Sequence, residues 1–332
     1  MLLTIFLFCI GLLLIIKGGD WFVDGATAIA ARFHVPEILI GATIVSIGTT
    51  IPEVMVSATA AAGGHGEIAY GNAIGSIICN TALIAALTLA IRPGKTDARS
   101  FRKPVFFFFA AAAFYLFVAY ALGVYTRTIG LILLAGFVLY MVLTVREALR
   151  NASVSDPQTE KASSGDGEPS EAAKENPLWQ YLLMLVIGAA AIAVGANLLV
   201  NKGTLIAEAL GVPESVIALT FVALGTSLPE LVTAITSLAK GHSDLSIGNV
   251  IGANLFNLVL VSGVAITINP YDLPVAKLLA GRNASLVLDL PLMVLVMMLM
   301  TLPTFKKGQT HRWQGIVLLT LYAAYCAFQF FF

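Results

Sequence analysis

Ten apolar runs, each about as long as a bilayer is thick, follow one another along this chain, and all but one of the nine breaks between them are short. A helix needs roughly 20 apolar residues to cross the hydrocarbon core. In lipid every backbone polar group must be satisfied within the segment, so such runs are helices. The runs are read at 2–30, 36–62, 69–91, 104–122, 127–147, 178–201, 213–239, 246–268, 284–303 and 313–332. They predict an all-α integral membrane protein of about ten transmembrane helices. Composition agrees, with 58% hydrophobic and only 11% charged residues, against about a quarter charged in soluble domains. Zero net charge and dispersed basic residues argue against a nucleic-acid partner. Cys9, Cys79 and Cys326 lie in apolar runs without metal-ligand spacing and read as small hydrophobes. The N-terminal run lacks a basic leader and a clear cleavage site, so a retained first helix is expected.

The one long break divides the chain. Residues 148–177, almost without large apolar residues from Asn151 to Pro177, are rich in Ser, Glu, Lys, Asp and Gly and read as a solvated linker. The expected domains are a first membrane half at 1–147, this linker, and a second half at 178–332. Lys and Arg accumulate in the loops on the linker's side, fourteen against four. The linker is therefore expected in the cytoplasm and both termini outside it, in a bacterial or archaeal inner membrane.

The two halves align without a gap at a constant offset of 177 residues. Val35-Pro36-Glu37 matches Val212-Pro213-Glu214, Pro52-Glu53 matches Pro229-Glu230, and Gly71-Asn72 matches Gly248-Asn249. Each half holds five spans, an odd number, so the second enters the membrane from the opposite side. Inverted repeats are a construction of secondary transporters, with the site near the midplane where the halves meet.

The matched residues are polar and intramembrane. Glu53 follows Gly48-Thr49-Thr50-Ile51-Pro52, and Glu230 follows Gly225-Thr226-Ser227-Leu228-Pro229. A carboxylate at that depth is costly and is a functional candidate by default. Pro52 has no N–H for the Gly48 carbonyl, and Pro229 none for that of Gly225, so a local break is expected in each helix. Carboxylates, freed carbonyls and hydroxyls are hard oxygen ligands, suited to Ca²⁺ or Na⁺. Gly71 and Gly75, like Gly248 and Gly252, form small-residue faces that allow close packing on those helices. Asn72 and Asn249, with Asn80 and Asn257 two turns on, place amide oxygens toward the same centre.

These motifs resemble those of the cation/calcium exchanger superfamily, in its prokaryotic sodium/calcium exchanger form. The paired signatures read GTTIPE with GNAIGSIICN, and GTSLPE with GNVIGANLFN. The resemblance spans both halves and implies a secondary antiporter, not an enzyme, with calcium and sodium as the ions carried and no cofactor. It implies Glu53 and Glu230 as shared ligands. Thr49, Thr50, Ser76 and Asn80 would serve one half, and Thr226, Ser227 and Asn257 the other. Carbonyls near Ser46 and Ala223 would complete the sodium positions. It also implies alternating access by movement of the first and sixth spans against the other eight. The chain departs from the pattern at Thr50, Ile77 and Ala253, and neither Asn80 nor Asn257 carries the carboxylate some relatives have there.

Two ionised glutamates balance one Ca²⁺, whereas three Na⁺ would leave an excess positive charge that is expensive to bury. A calcium/proton exchanger is the alternative, and a cation channel a more distant one. No phosphate-binding G-x-x-x-x-G-K-[ST] and no H-E-x-x-H is present. Asp20 and Asp24, with Asn197 and Asn201 opposite, read equally as ion-entry linings or as interfacial polar residues. Asp289 has no repeat counterpart and reads as structural.

Overall fold

The computed structural model describes residues 2–33, 35–94, 98–154, 177–209, 226–275, 278–279 and 281–331. The helices are α1 (Leu2–Arg32), α2 (Glu37–Ala62), α3 (Gly66–Ile91), α4 (Ala98–Phe117, continued by Val118–Leu122), α5 (Arg127–Val154), α6 (Leu178–Ala209), α7 (Leu228–Lys240), α8 (Ser243–Ile268), α9 (Ser285–Asp289, continued by Leu290–Lys307) and α10 (Arg312–Phe331). Eight of these, all but α7 and α10, are long and apolar enough to cross a membrane. The first part of the expected seventh span and most of the linker lie outside the described residues. Strands are confined to loops: β1 (Val124–Tyr125) pairs antiparallel with β2 (Tyr271–Asp272), and β3 (Leu278–Leu279) with β4 (Arg282–Asn283).

The inverted repeat is visible in how α1 meets α6. A Cβ on Gly11 would lie 3.0 Å from the Gly195 carbonyl, and one on Gly18 would lie 2.9 Å from that of Gly188. The contacts are reciprocal, at 2.8 Å from Gly195 to Gly11 and 2.8 Å from Gly188 to Gly18. At the repeat offset Gly11 is equivalent to Gly188, and Gly18 to Gly195. Each glycine therefore meets the counterpart of its neighbour two turns away. A two-fold axis between antiparallel helices produces this pattern. Backbones this close gain dispersion contacts that lipid-facing side chains could not supply.

A second glycine seam joins the halves at α2 and α8. A Cβ on Gly41 would lie 2.5 Å from the Leu245 carbonyl. One on Gly248 would strike the Ile38 carbonyl, and one on Gly252 the Ser46 hydroxyl. The expected close packing thus holds for Gly248 and Gly252. A Cβ on Gly71 or Gly75 would meet nothing of another segment within 4 Å among the described residues, and the counterpart of the Ile38–Ser46 stretch falls outside the described residues.

The expected break at Gly48–Pro52 is not found. Helix α2 runs unbroken from Ser46 to Ala62 with Pro52 inside it, because one missing N–H leaves the neighbouring hydrogen bonds intact. The irregularity lies upstream, in a π-helical turn at Gly41–Val45. Its loosened carbonyls find side-chain donors: the Ser46 hydroxyl is 2.7 Å from Gly41 O, and Tyr140 of α5 donates to Ala42 O at 3.0 Å. Tyr140 is fixed in turn by the rings of Phe107 and Phe256, with centroids 5.2 and 6.0 Å away. In the second half the chain turns at Thr226-Ser227 and α7 begins at Leu228. Pro229 sits in the first turn of α7, where no N–H is needed.

The far ends of α2 and α7 are built alike. A glycine with positive φ turns the chain after each helix, Gly64 at +83° one residue past the Gly63 cap of α2 and Gly241 at +89° directly after Lys240, a conformation open to glycine without strain. A side chain from the opposite half closes each corner: Asn269, just after α8, donates to Ala61 O of α2 at 3.1 Å, and its counterpart Arg92, just after α3, donates to Leu238 O of α7 at 3.3 Å. His242 Nδ1 lies 2.8 Å from Glu37 Oε1.

Gly248→Val should lower the melting temperature in detergent, with an overpacking cost of about 1–3 kcal/mol. Gly136→Ala, which meets nothing within 4 Å among the described residues, should be neutral. The bond to Glu37 raises the His242 imidazole above its ordinary 6.5. A raised folded value means that the pair's stabilisation is complete at low pH and fades as pH climbs through that value. Melting temperature should therefore fall as pH rises above about 6.5 in the native chain, and this slope should flatten in His242→Gln.

Candidate functional site

Glu53, on α2, and Glu230, in the first turn of α7, have no exposed surface at all. Their carboxylates are near enough for their charges to interact, and the Thr49 hydroxyl faces Glu230. Neither carboxylate has a hydrogen-bond partner on either oxygen among the described residues. Such a buried pair needs a compensating charge or proton, since an unpaired buried carboxylate costs several kcal/mol.

Around them the structure gathers neutral oxygens. Asn80 and Asn257 are wholly buried, and both amide atoms of each lack a partner among the described residues. Each begins a π-helical turn, Asn80–Ala85 in α3 and Asn257–Val261 in α8. Such turns recur at functional sites. The two turns pack crosswise: the Asn80 turn lies against α7, which carries Glu230, and the Asn257 turn against α2, which carries Glu53. Thr50 is fully buried and its hydroxyl is also unpartnered. Seven unpartnered oxygens result, four from the carboxylates and one each from Thr50, Asn80 and Asn257.

The remaining candidates divide. Ser227 is buried beside the Cys79 thiol, Ser76 is buried on α3, and Thr226 is half-buried in the turn before α7. Ser46 is buried, but its hydroxyl is engaged, 2.7 Å from Gly41 O and 2.9 Å from Asn249 O; Thr49 lies 3.5 Å from the Ser46 carbonyl. Ala223 lies outside the described residues. Among the described residues no three His, Cys, Asp or Glu side chains cluster as a metal group would. The centre is two acids in a setting of neutral oxygens.

Sequence reasoning placed Asn72 and Asn249 near the site without separating their roles. The Asn72 amide donates to Glu53 O at 3.2 Å and to Ser57 Oγ at 2.9 Å, holding α3 in register with α2. Asn249 Oδ1 instead accepts from Thr49 at 3.2 Å and from Ser46 at 3.3 Å, tying one half to the other. Asn254 donates to Thr81 at 2.6 Å, a further bond between the halves. Phe22 of α1, fully buried, covers the motif from the side: a Cβ on Gly48 would lie 3.1 Å from its ring. No polar pattern marks Phe22, and only the packing reveals it. Asp20 and Asp24 are not bare linings, because Lys240 pairs with both. Asp289 accepts from Tyr325 at 3.3 Å and Gln329 at 3.4 Å, as a structural carboxylate would.

Comparison with known proteins agrees with this architecture. The chain is 34% identical to the membrane protein MJ0091 of Methanocaldococcus jannaschii, over 95% of this chain and 94% of that one. It is 28% identical to the sodium/calcium exchanger MaX1 of Methanosarcina acetivorans, over 97% of each. Its structure superposes on that of the sodium-calcium exchanger NCX_Mj soaked with sodium and strontium ions, with a TM-score of 0.77, 30% identity and 98% of both chains covered. The fold is accordingly that of an all-α membrane protein of about ten transmembrane helices in two inverted five-helix repeats. The model of the sodium/calcium exchanger protein family matches residues 3–146 and 180–331, one segment in each half, and the chain belongs to that family.

Proposed function

We propose that this protein is a secondary antiporter that exchanges calcium for sodium across the membrane by alternating access, with both ions competing for the oxygens around Glu53 and Glu230. The observation that carries this reading is the set of seven buried oxygens without a hydrogen-bond partner among the described residues. Calcium takes six to eight oxygen ligands from carboxylates and neutral oxygens, and the two glutamates supply the charge that balances it. The same oxygens without calcium would be a severe desolvation cost. Thr49, Thr226, Ser227, Ser76 and the carbonyls near Ser46 and Ala223 would hold sodium, a weaker and more adaptable guest.

Family membership and the likeness to NCX_Mj, itself named a sodium-calcium exchanger, support the choice of ions. The glycine seam between α1 and α6 supports movement of these two helices as a unit, since their backbones touch each other directly. Under the positive-inside bias the linker and the Lys240 ends face the cytoplasm, while both termini and the β1–β2 loops face outward. The linker, residues 148–177, then joins the halves on the cytoplasmic face of an inner membrane. The sodium gradient drives the cycle.

The test is radioactive calcium uptake into sodium-loaded proteoliposomes, with and without an outward sodium gradient. Uptake should require the gradient and fall to background in Glu53→Gln and in Glu230→Gln, with both variants still folded. Asn249→Ala, which removes a positioning bond rather than a ligand, should weaken apparent calcium affinity by about tenfold. Uptake indifferent to sodium but driven by a pH gradient would assign protons as the coupling ion. Full activity in Glu53→Gln would sink the site.

A further inference from the structure

The two ends of the molecule are built on one plan but carry different charges. At the end where α7 stops, Lys240 Nζ lies 2.7 Å from Asp24 Oδ1 and 3.3 Å from Asp20 Oδ1, and 3.3 Å from the Asp20 carbonyl. These contacts join α7 to α1. Arg92 closes the same corner on Leu238 O. At the opposite end the counterparts of Lys240, Asp20, Asp24 and Arg92 are Gly63, Asn197, Asn201 and Asn269. Gly63 has no side chain to offer. Asn201 donates to Asn197 at 2.8 Å, a bond internal to α6. These positions fasten one end of the α1–α7 pair by charge, whereas their counterparts at the other end carry no charge.

The face of α7 leading to that fastening is also distinctive. Glu230, Thr233, Ser237 and Lys240 fall at i, i+3, i+7 and i+10, on one side of the helix. The Thr233 and Ser237 hydroxyls are fully buried and have no partner among the described residues. Their counterparts on α2 are Val56 and Ala60. A line of hydroxyls thus runs from the central glutamate to the Lys240 pair, and the matching line on α2 is apolar.

We propose that the Lys240–Asp20–Asp24 bridge is a one-sided latch. It holds α1 on α7, keeps the hydroxyl-lined side of α7 leading to Glu230 closed at its Lys240 end, and biases the resting exchanger toward opening at the opposite end. The inference rests on the alternating-access reading above. In an inverted repeat the two end states are pseudo-symmetric and nearly balanced, so an ion pair made in only one of them shifts the populations by its full strength. Lys240 is a positioning residue here, for it acts on helix position and touches no transported ion.

The latch is tested with Lys240→Met and with the charge swap Lys240→Asp plus Asp24→Lys. Apparent calcium affinity is measured from each face of oriented proteoliposomes. Hydrogen exchange is followed in calcium-free protein at Leu238–His242 and at the equivalent Ala61–His65. Loss of the latch should improve affinity from the Lys240 face and weaken it from the opposite face, each by about threefold. Exchange should quicken at Leu238–His242 and slow at Ala61–His65, and the swap should reverse both. Faster exchange at Leu238–His242 with Ala61–His65 unchanged, or affinities lost equally from both faces, would mean a local brace and would overturn the proposal. Reciprocal exchange changes in a protein that fails to transport calcium in the uptake assay would sustain the latch and overturn the ion assignment instead.

Discussion

Two carboxylates without exposed surface, in the apolar interior of one bundle, are the constraint on which the rest of this structure depends. Water solvates a carboxylate strongly, and a membrane interior returns almost none of that energy. Glu53 and Glu230 are tolerable only where other polar groups and a compensating positive charge or proton make up for the lost water. The structure supplies the oxygens from four directions, with α2 and α7 bringing the acids and α3 and α8 bringing Asn80 and Asn257 crosswise.

Close approach of four helices to one point requires thin backbones and locally open hydrogen bonding. Glycines at positions 41, 248 and 252 provide the first, since any side chain there would meet a carbonyl or the Ser46 hydroxyl. The π-helical turns at Gly41–Val45, Asn80–Ala85 and Asn257–Val261 provide the second. A π turn widens the helix, redirects the side chain that opens it and loosens carbonyls. The loosened groups at Gly41 and Ala42 are met by Ser46 and Tyr140, so the opening is stabilised from two helices at once. The seam of α1 on α6 is separate from this centre, and Phe22 reaches from it to cover Gly48.

Duplication gave both halves one backbone plan, and substitution then divided the work. Asn72 and Asn249 occupy equivalent positions, yet one aligns neighbouring helices within a half and the other bonds across halves to Thr49. Arg92 and Asn269 close equivalent corners with and without charge. A transporter with identical ends would have no preferred direction of opening. Side-chain differences of this kind, laid over a shared backbone, let one end state differ in energy from the other.

Much of this was legible in the sequence, for reasons that differ by level. Apolar run length determined the helices and the membrane, because a bilayer imposes one length scale on every span. The constant offset of 177 determined the inverted halves, and the doubled Pro-Glu in apolar surroundings singled out Glu53 and Glu230, because a charge there is too costly to be incidental. The rest was decided by tertiary structure. Pro52 suggested a break that moved upstream to Gly41–Val45, since hydrogen-bond register depends on which neighbours can receive a freed carbonyl, and Tyr140 lies 98 positions away in sequence. Gly11 and Gly18 became a two-fold seam only once α6 lay against them. Asp20 and Asp24 read equally as ion-entry linings or interfacial residues until Lys240, far along the chain, was brought beside them. Local chemistry fixes what a residue can do, and which partner it meets is settled only by packing, because contacts between distant segments leave no local periodicity to read.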